Sequence, residues 1–249
     1  VPDTIETFMG RLVHKALEKL YGDLKFNKIN TKEELIAFYE ELWEESWTNT
    51  ILIVKKEHTW ENYKKAGKKF IEGFYDHYKP FNQRKTIGLE TEDILNLEDG
   101  NQYHIKIDRL DCDKEGNYYV CDYKTNNRLK IQDELDEDRQ LAMYSLWVKK
   151  NFNDCKDVKL VWHFLAFDKE MTSERSKKQL EQLKKETEKL IKEIESCTEF
   201  STNVSSLCGW CKFQSMCPAW KDKFETEEKK DSPEDYEKKL LDLTLKAEE

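Results

Sequence analysis

The sequence predicts an α/β (α+β) protein: a three-stranded antiparallel meander, with helices before it and alternating helix and strand after it. Three observations carry this. Apolar residues at three- and four-residue steps open the chain. From Thr86 the period drops to two for three successive segments. Helical periodicity then returns at about residue 133, interrupted by one apolar, β-rich stretch.

Residues 4–21 read as the first helix, because Ile5, Phe8, Met9, Leu12, Val13, Ala16, Leu17 and Leu20 form one broad apolar face. Gly10, His14 and Glu18 lie along a neighbouring edge, one turn apart, and Gly22 offers a stop. Thr31 and Glu34 have capping-box spacing and open a second helix to about Trp47. A third runs from about Thr59 to Lys79 and stops at Pro80. Together these two make a helical insertion, about residues 30–80, rich in aromatics such as Phe38, Tyr39, Trp43, Trp47, Trp60, Tyr63, Phe74 and Tyr78. Rings beside lysines can stack on bases, but a core for the insertion is the preferred reading.

The strand-like segments are residues 86–97, 102–111 and 118–124, joined by Asp99-Gly100 and by a turn over 113–117. Residues 133–150 then read as a helix, 158–167 as a buried strand, and 173–196 as a long charged helix. Repeats are absent. The main domain spans residues 1–220, followed by a charged helical tail over 221–249, whose stretch 233–245 has amphipathic character.

At 249 residues the chain can bury a substantial core, and 37% charged residues describe a polar surface. No apolar run approaches the ~18 residues that span a bilayer, and no secretory signal opens the chain. The expectation is a cytoplasmic protein with no membrane contact. Net charge is −9, which argues at first against a nucleic-acid partner. The acidity is uneven, however, with lysine pairs at Lys55-Lys56, Lys64-Lys65, Lys68-Lys69 and Lys149-Lys150, so net charge does not settle the partner.

The chemistry lies in the second hairpin. If it is symmetric about Glu115, paired residue numbers sum to 230, and Asp108 faces Asp122. Like charges facing each other across a sheet are unfavourable unless a cation compensates, and hard oxygen ligands select a divalent ion. Asp122 and Lys124 are two apart and share a face. A metal-binding carboxylate beside a lysine suits phosphodiester hydrolysis, the metal activating water and the lysine offsetting charge that grows in the transition state. Taken alone, Asp-x-Lys equally describes a solvated strand.

The ordered motifs separate these readings. Gly10-Arg11-Leu12-Val13-His14, Ile107-Asp108-Arg109, 119–125 (Tyr-Val-Cys-Asp-Tyr-Lys-Thr) and Gln140-Leu141-Ala142-Met143-Tyr144 together resemble the RecB-like branch of the PD-(D/E)xK nucleases. The resemblance covers roughly residues 8–20, 88–147 and 205–220. It implies that the main domain has a restriction-endonuclease-like α-β-β-β-α-β core. It also implies a DNA nuclease dependent on Mg²⁺ or Mn²⁺, an exonuclease on single-stranded ends. It makes Asp108 and Asp122 metal ligands with His14 and the main-chain carbonyl of Tyr123, and Lys124 the catalytic lysine. Gln140 and Tyr144 would position substrate or that lysine, and Glu90 would be a supporting acid on the first strand. Relatives usually carry a small residue two before the first aspartate. Here it is Lys106, which shares a face with Asp108 and would crowd or partly neutralise the site. The alternative is a non-catalytic nuclease-fold subunit that binds DNA, a helicase or another DNA-processing partner.

Of seven cysteines, Cys208-x2-Cys211-x5-Cys217-Pro218 has the spacing of a metal site, suited to zinc or an iron–sulfur cluster. In RecB-like nucleases of the AddB kind and their CRISPR-associated relatives, three such cysteines join one near the N-terminus around a [4Fe–4S] cluster. No cysteine precedes Gly10, and the chain begins at Val1, so the resemblance puts a fourth ligand upstream. A zinc site completed by Cys197 is the alternative.

Overall fold

A computed structural model describes residues 3–55, 57–211 and 213–220. The charged tail, with its amphipathic stretch, lies outside the described residues, as does Lys56. Asp3–Cys197 form one compact unit, and the described residues from Thr198 onward belong to a second.

The first unit is a five-stranded mixed sheet in the order β1-β2-β3-β4-β5, with helices against it. The helices α1 (Ile5–Leu24), α2 (Lys32–Ser46) and α3 (Trp60–Tyr78) come first. The meander follows as β1 (Lys85–Asn96), β2 (Gln102–Cys112) and β3 (Asn117–Lys124). Then come α4 (Gln132–Asp136), α5 (Arg139–Asn151), β4 (Asp157–Phe164), β5 (Lys169–Glu174) and α6 (Lys177–Ser196). Neighbouring strands are antiparallel except β3 and β4, which run parallel. A parallel pair needs a crossover, supplied here by α4 and α5. This is the α/β core the sequence predicts, with a restriction-endonuclease-like order of elements.

Two apolar clusters fill the unit. In β3, Tyr118 and Val120 join the cluster that contains residues of α5 and α6, including Leu141, Val148, Leu180 and Leu183. Tyr123, of opposite parity, joins the cluster built by α1, α2 and α3. All eight apolar residues of the α1 face are buried. Thr4 caps that helix by accepting from the Thr7 N–H. Gly22 does not stop it. The helix continues one half-turn and ends in a turn where Asn27 takes a left-handed φ of 59°, because glycine lowers helix stability without forbidding helix.

The insertion is a packed body. Thr31 and Glu34 form their capping box. Trp43 stacks on Trp47 with rings 5.9 Å apart, and Phe8 of α1 packs edge-on against Trp43 at 4.9 Å. Tyr39, Trp43, Tyr63 and Phe74 are buried, while Phe38, Trp47, Trp60 and Tyr78 are half-buried against the same cluster. These rings serve as core.

Three elements differ from the sequence expectation. The buried strand expected over 158–167 ends at Phe164, and Leu165–Phe167 form a 3-10 turn. The single helix expected over 133–150 is broken at Glu137 and Asp138, where the Asp138 side chain accepts from the Leu141 N–H and starts α5 afresh. The long charged helix begins at Lys177 instead of 173, because 169–174 form β5. That strand is polar and only six residues long, too short for a period-two signal, and it is folded back on β4 at Asp168, whose φ is 47°. None of the described helices is long and apolar enough to cross a membrane.

Candidate metal and nuclease site

The hairpin register follows the expected sum of 230, with Arg109 opposite Cys121 and Asp111 opposite Tyr119. The ladder stops there, one pair short of Asp108 and Asp122. The reason is a competing bond: Asp108 Oδ2 accepts the main-chain N–H of Tyr123 at 2.9 Å. On its other side, Asp108 faces the gap in the β1–β2 register between Leu89 and Thr91. Glu90 fills that gap with φ of 41°, a left-handed conformation that costs about 1–2 kcal/mol for a residue with a Cβ. Strain of this kind persists where the surroundings over-determine it, commonly at functional sites.

His14 closes the group from α1. Its Nδ1 lies 3.5 Å from Asp108 Oδ2, and its Nε2 donates to the Tyr123 carbonyl at 2.9 Å. Helix and strand approach closely because residue 10 is glycine; a Cβ there would stand 3.0 Å from Thr125 Oγ1. His14, Glu90 and Asp108 thereby offer ligand atoms within 4.8 Å of one another. Asp122 is drawn to the other side of the site, where Lys124 Nζ sits 2.7 Å from its Oδ2. The pair is an ion contact without hydrogen-bond alignment, so this buried oxygen has no hydrogen-bond partner.

Charge is distributed unevenly between the two aspartates. Burial pushes the Asp108 carboxyl up, but the hydrogen bond and charge of His14 and the Tyr123 N–H outweigh it and hold the group below the usual range. Asp122 lacks those donors. Burial first, and Asp108 after it, push its carboxyl up to about 6, with Lys124 opposing. Glu90 is likewise raised, by burial and then by Asp108. Burial works against the charged form of His14, yet Asp108 and Asp122 raise it above the usual histidine value. Lys124 is raised too, Asp122 and Asp108 overcoming its burial, so it carries its proton at neutral pH. The Lys124 cation thus stands among three carboxyls, and their charge also raises the proton affinity of His14.

Lys106 does reach this acidic group, though it does not enter the centre. Its Nζ is 3.0 Å from Glu92 Oε1 and 3.8 Å from Glu90 Oε2, on the half-exposed rim. Gln140 and Tyr144 meet on α5, the amide donating to the Tyr144 hydroxyl at 3.1 Å. Tyr144 is buried in the cluster that also holds Ile105 and Ile107 of the strand that carries Asp108. Glu90, only a supporting acid from sequence, stands closer to His14 and Asp108 than its weak signal suggested. Behind the site, Arg109 is fully buried and bonds the Tyr123 hydroxyl. Its place in the Ile107-Asp108-Arg109 stretch is the one sequence signal for it.

In the second unit, Ser206–Trp210 and Gln214–Met216 are 3-10 turns that carry Cys208 and precede Cys217. Cys208 and Cys217 are half-buried and Cys211 is exposed. The Cys208 carbonyl accepts the Cys211 N–H at 3.0 Å, and the Cys208 sulfur accepts the Ser205 N–H at 3.3 Å.

The donor set fits a hard divalent cation: two or three carboxylates, one imidazole and a main-chain carbonyl, including one buried carboxylate oxygen with no hydrogen bond. No curated protein matches the chain. Among solved structures the chain is similar to the crystal structure of SSO0001, at 20% identity over 64% of this chain and 78% of that one, with a TM-score of 0.33, too loose a likeness to carry an argument. The family model described as the PD-(D/E)XK nuclease superfamily matches residues 2–218. With that match and a mixed sheet presenting Asp108, Asp122 and Lys124 together, the chain belongs to the PD-(D/E)XK nuclease superfamily, whose members are metal-dependent nucleases.

Proposed function

We propose that the chain is a RecB-like deoxyribonuclease that hydrolyses phosphodiesters with Mg²⁺ or Mn²⁺, acting as an exonuclease on single-stranded DNA ends. The observation that carries it is the convergence of His14, Glu90 and Asp108 beside the Asp122–Lys124 pair. Asp108, Asp122, His14 and the Tyr123 carbonyl would hold the cation, with Glu90 as a further oxygen donor. When bound, the metal polarises the phosphate and lowers the pKa of a water.

The residues do the rest. Lys124, whose charge Asp122 and Asp108 favour, acts as a cation that orients the scissile phosphate and offsets its growing negative charge. Asp122 anchors Lys124 and separates its charge from His14. Gln140 and Tyr144, bonded to each other on α5, would position substrate or the lysine beside the site. The single-strand and exonuclease preferences rest on the sequence resemblance, as does a helicase or other DNA-processing partner. On the same ground Cys208, Cys211 and Cys217 would supply three ligands of a structural [4Fe–4S] cluster; zinc completed by Cys197 is the competing occupant.

The test is degradation of end-labelled single-stranded DNA with Mn²⁺. Wild type should cleave, and Asp122→Ala and Lys124→Ala should lose cleavage while melting cooperatively. Wild-type rates in both variants refute the site. Iron and sulfide in anaerobically purified full-length protein support the cluster; one zinc, no iron, and loss of zinc in Cys197→Ser reject it.

A further inference from the structure

Tyr123 sits between Asp122 and Lys124 in sequence, yet its side chain points to the opposite face of the sheet, into the cluster built by α1 to α3. There its hydroxyl accepts from Arg109 Nη1 at 2.7 Å. Its ring stands edge-on to Phe74 at 5.5 Å and lies tilted against His163 at 5.4 Å. Arg109 is only 2% exposed, and its other donors are also placed. Nε bonds Asp111 at 2.9 Å, and Nη2 contacts His163 Nε2 at 3.2 Å and the Cys121 sulfur at 3.6 Å. A guanidinium only donates, so His163 Nε2 accepts and its proton is on Nδ1. That Nδ1–H faces the Tyr78 hydroxyl at 3.0 Å, and Tyr78 donates onward to Glu170 at 3.0 Å. The chain of bonds therefore has one direction, from Arg109 outward across β4 to β5.

The main chain of the same Tyr123 holds both sides of the metal site. Its N–H bonds Asp108, and its carbonyl bonds His14. The β2–β3 ladder has already ended here, so the β4 ladder holds this stretch from one edge only, and on the β2 side the Tyr123 N–H and carbonyl meet side chains instead of strand partners. The geometry points to the Arg109–Tyr123 hydroxyl contact as a clamp that, together with the one-sided β4 ladder, fixes the Tyr123 peptide and thereby sets the spacing of Asp108, His14, Asp122 and Lys124. Arg109 and Tyr123 are positioning residues in this sense: they act through the peptide, and their side chains touch neither metal nor substrate. The inference rests on the metal-site reading for its consequence, but the clamp itself is testable without metal.

Tyr123→Phe removes one hydroxyl and keeps the ring packing. The control is Tyr118→Phe, which removes another buried tyrosine's hydroxyl bond, to Asp154 at 3.0 Å, near the far end of the same strand. In metal-free protein, amide hydrogen exchange at residue 123 should quicken at least tenfold in Tyr123→Phe, relative to the β4 amides, and stay unchanged in Tyr118→Phe. Mn²⁺ affinity, read by electron paramagnetic resonance, should weaken 10–100-fold in Tyr123→Phe alone. With DNA, kcat should fall while KM stays within a few-fold. Equal exchange at residue 123 in wild type and Tyr123→Phe overturns the clamp, as does equal loss of Mn²⁺ affinity in the two variants. Faster exchange in a protein whose wild type binds no Mn²⁺ upholds the clamp and refutes the metal-site reading instead.

Discussion

Replacing Asp122 by asparagine should stabilise the metal-free protein at neutral pH. The folded protein pushes this carboxyl from an ordinary 3.8 to about 6. A rise of that size corresponds to about 3 kcal/mol of preference for the neutral form. Between those values the folded state binds more protons than the unfolded chain, so stability falls as pH rises through the window and stays lower above it. Asparagine cannot ionise and escapes that fall. Integrated, its advantage over wild type is about 1 kcal/mol at pH 4.5 and about 3 kcal/mol at pH 7.5. In a unit of this size the latter is on the order of 10 °C in Tm. Urea titrations of chelator-treated protein at the two pH values measure both numbers. Mn²⁺ at a hundred times its Kd should then add about 2.7 kcal/mol to wild type and much less to the variant. Asp108→Asn should do the reverse in metal-free protein, since that carboxyl is held below its ordinary range and contributes stability present above it. An Asp122→Asn variant less stable than wild type at pH 7.5, or an advantage that does not widen with pH, refutes this division of charge.

Three further outcomes follow from the same geometry. Asp108 and Asp122 raise the proton affinity of His14, and a metal competes with that proton, so Mn²⁺ affinity should fall as pH falls; an affinity independent of pH in equilibrium titrations would contradict it. Lys106→Ala should tighten Mn²⁺ binding several-fold, because the lysine lies 3.8 Å from Glu90 and offsets its charge; unchanged or weaker binding in an equilibrium titration would show that the rim lysine has no influence. Gly67→Ala should cost about 1–3 kcal/mol in urea denaturation without altering Mn²⁺ affinity, since a Cβ there would stand 2.2 Å from the Tyr39 hydroxyl in the α2–α3 packing.

What could be read from the sequence depended on how locally each feature is determined. The hairpin around Glu115 was legible to the residue, because a short turn fixes the register of both its strands. The buried face of α1 was legible because its period leaves one solution. β5 was not, since six residues of which only Met171 is apolar become a strand only when β4 offers an edge. The break at Asp138 was missed because aspartate inside a charged run reads as helix surface until its side chain is seen capping the next turn.

The site divides in the same way. That two aspartates would face each other followed from the turn, but which one would carry the strain did not. That outcome depends on who supplies donors, and the donors to Asp108 come from His14 on α1 and from the Tyr123 main chain, while Asp122 has only Lys124. Arg109 shows the deeper limit. By residue type it reads as surface, yet it is buried because His163 and Tyr78, 54 and 31 residues away along the chain, complete the chain of bonds beside it. The β3–β4 register that brings His163 beside Tyr123 is set by a crossover, not a turn, and no local pattern encodes it. Arg109 and Tyr123 therefore lie inside the motifs the sequence displays, but the bonds by which they hold their neighbours in place emerge only from tertiary geometry.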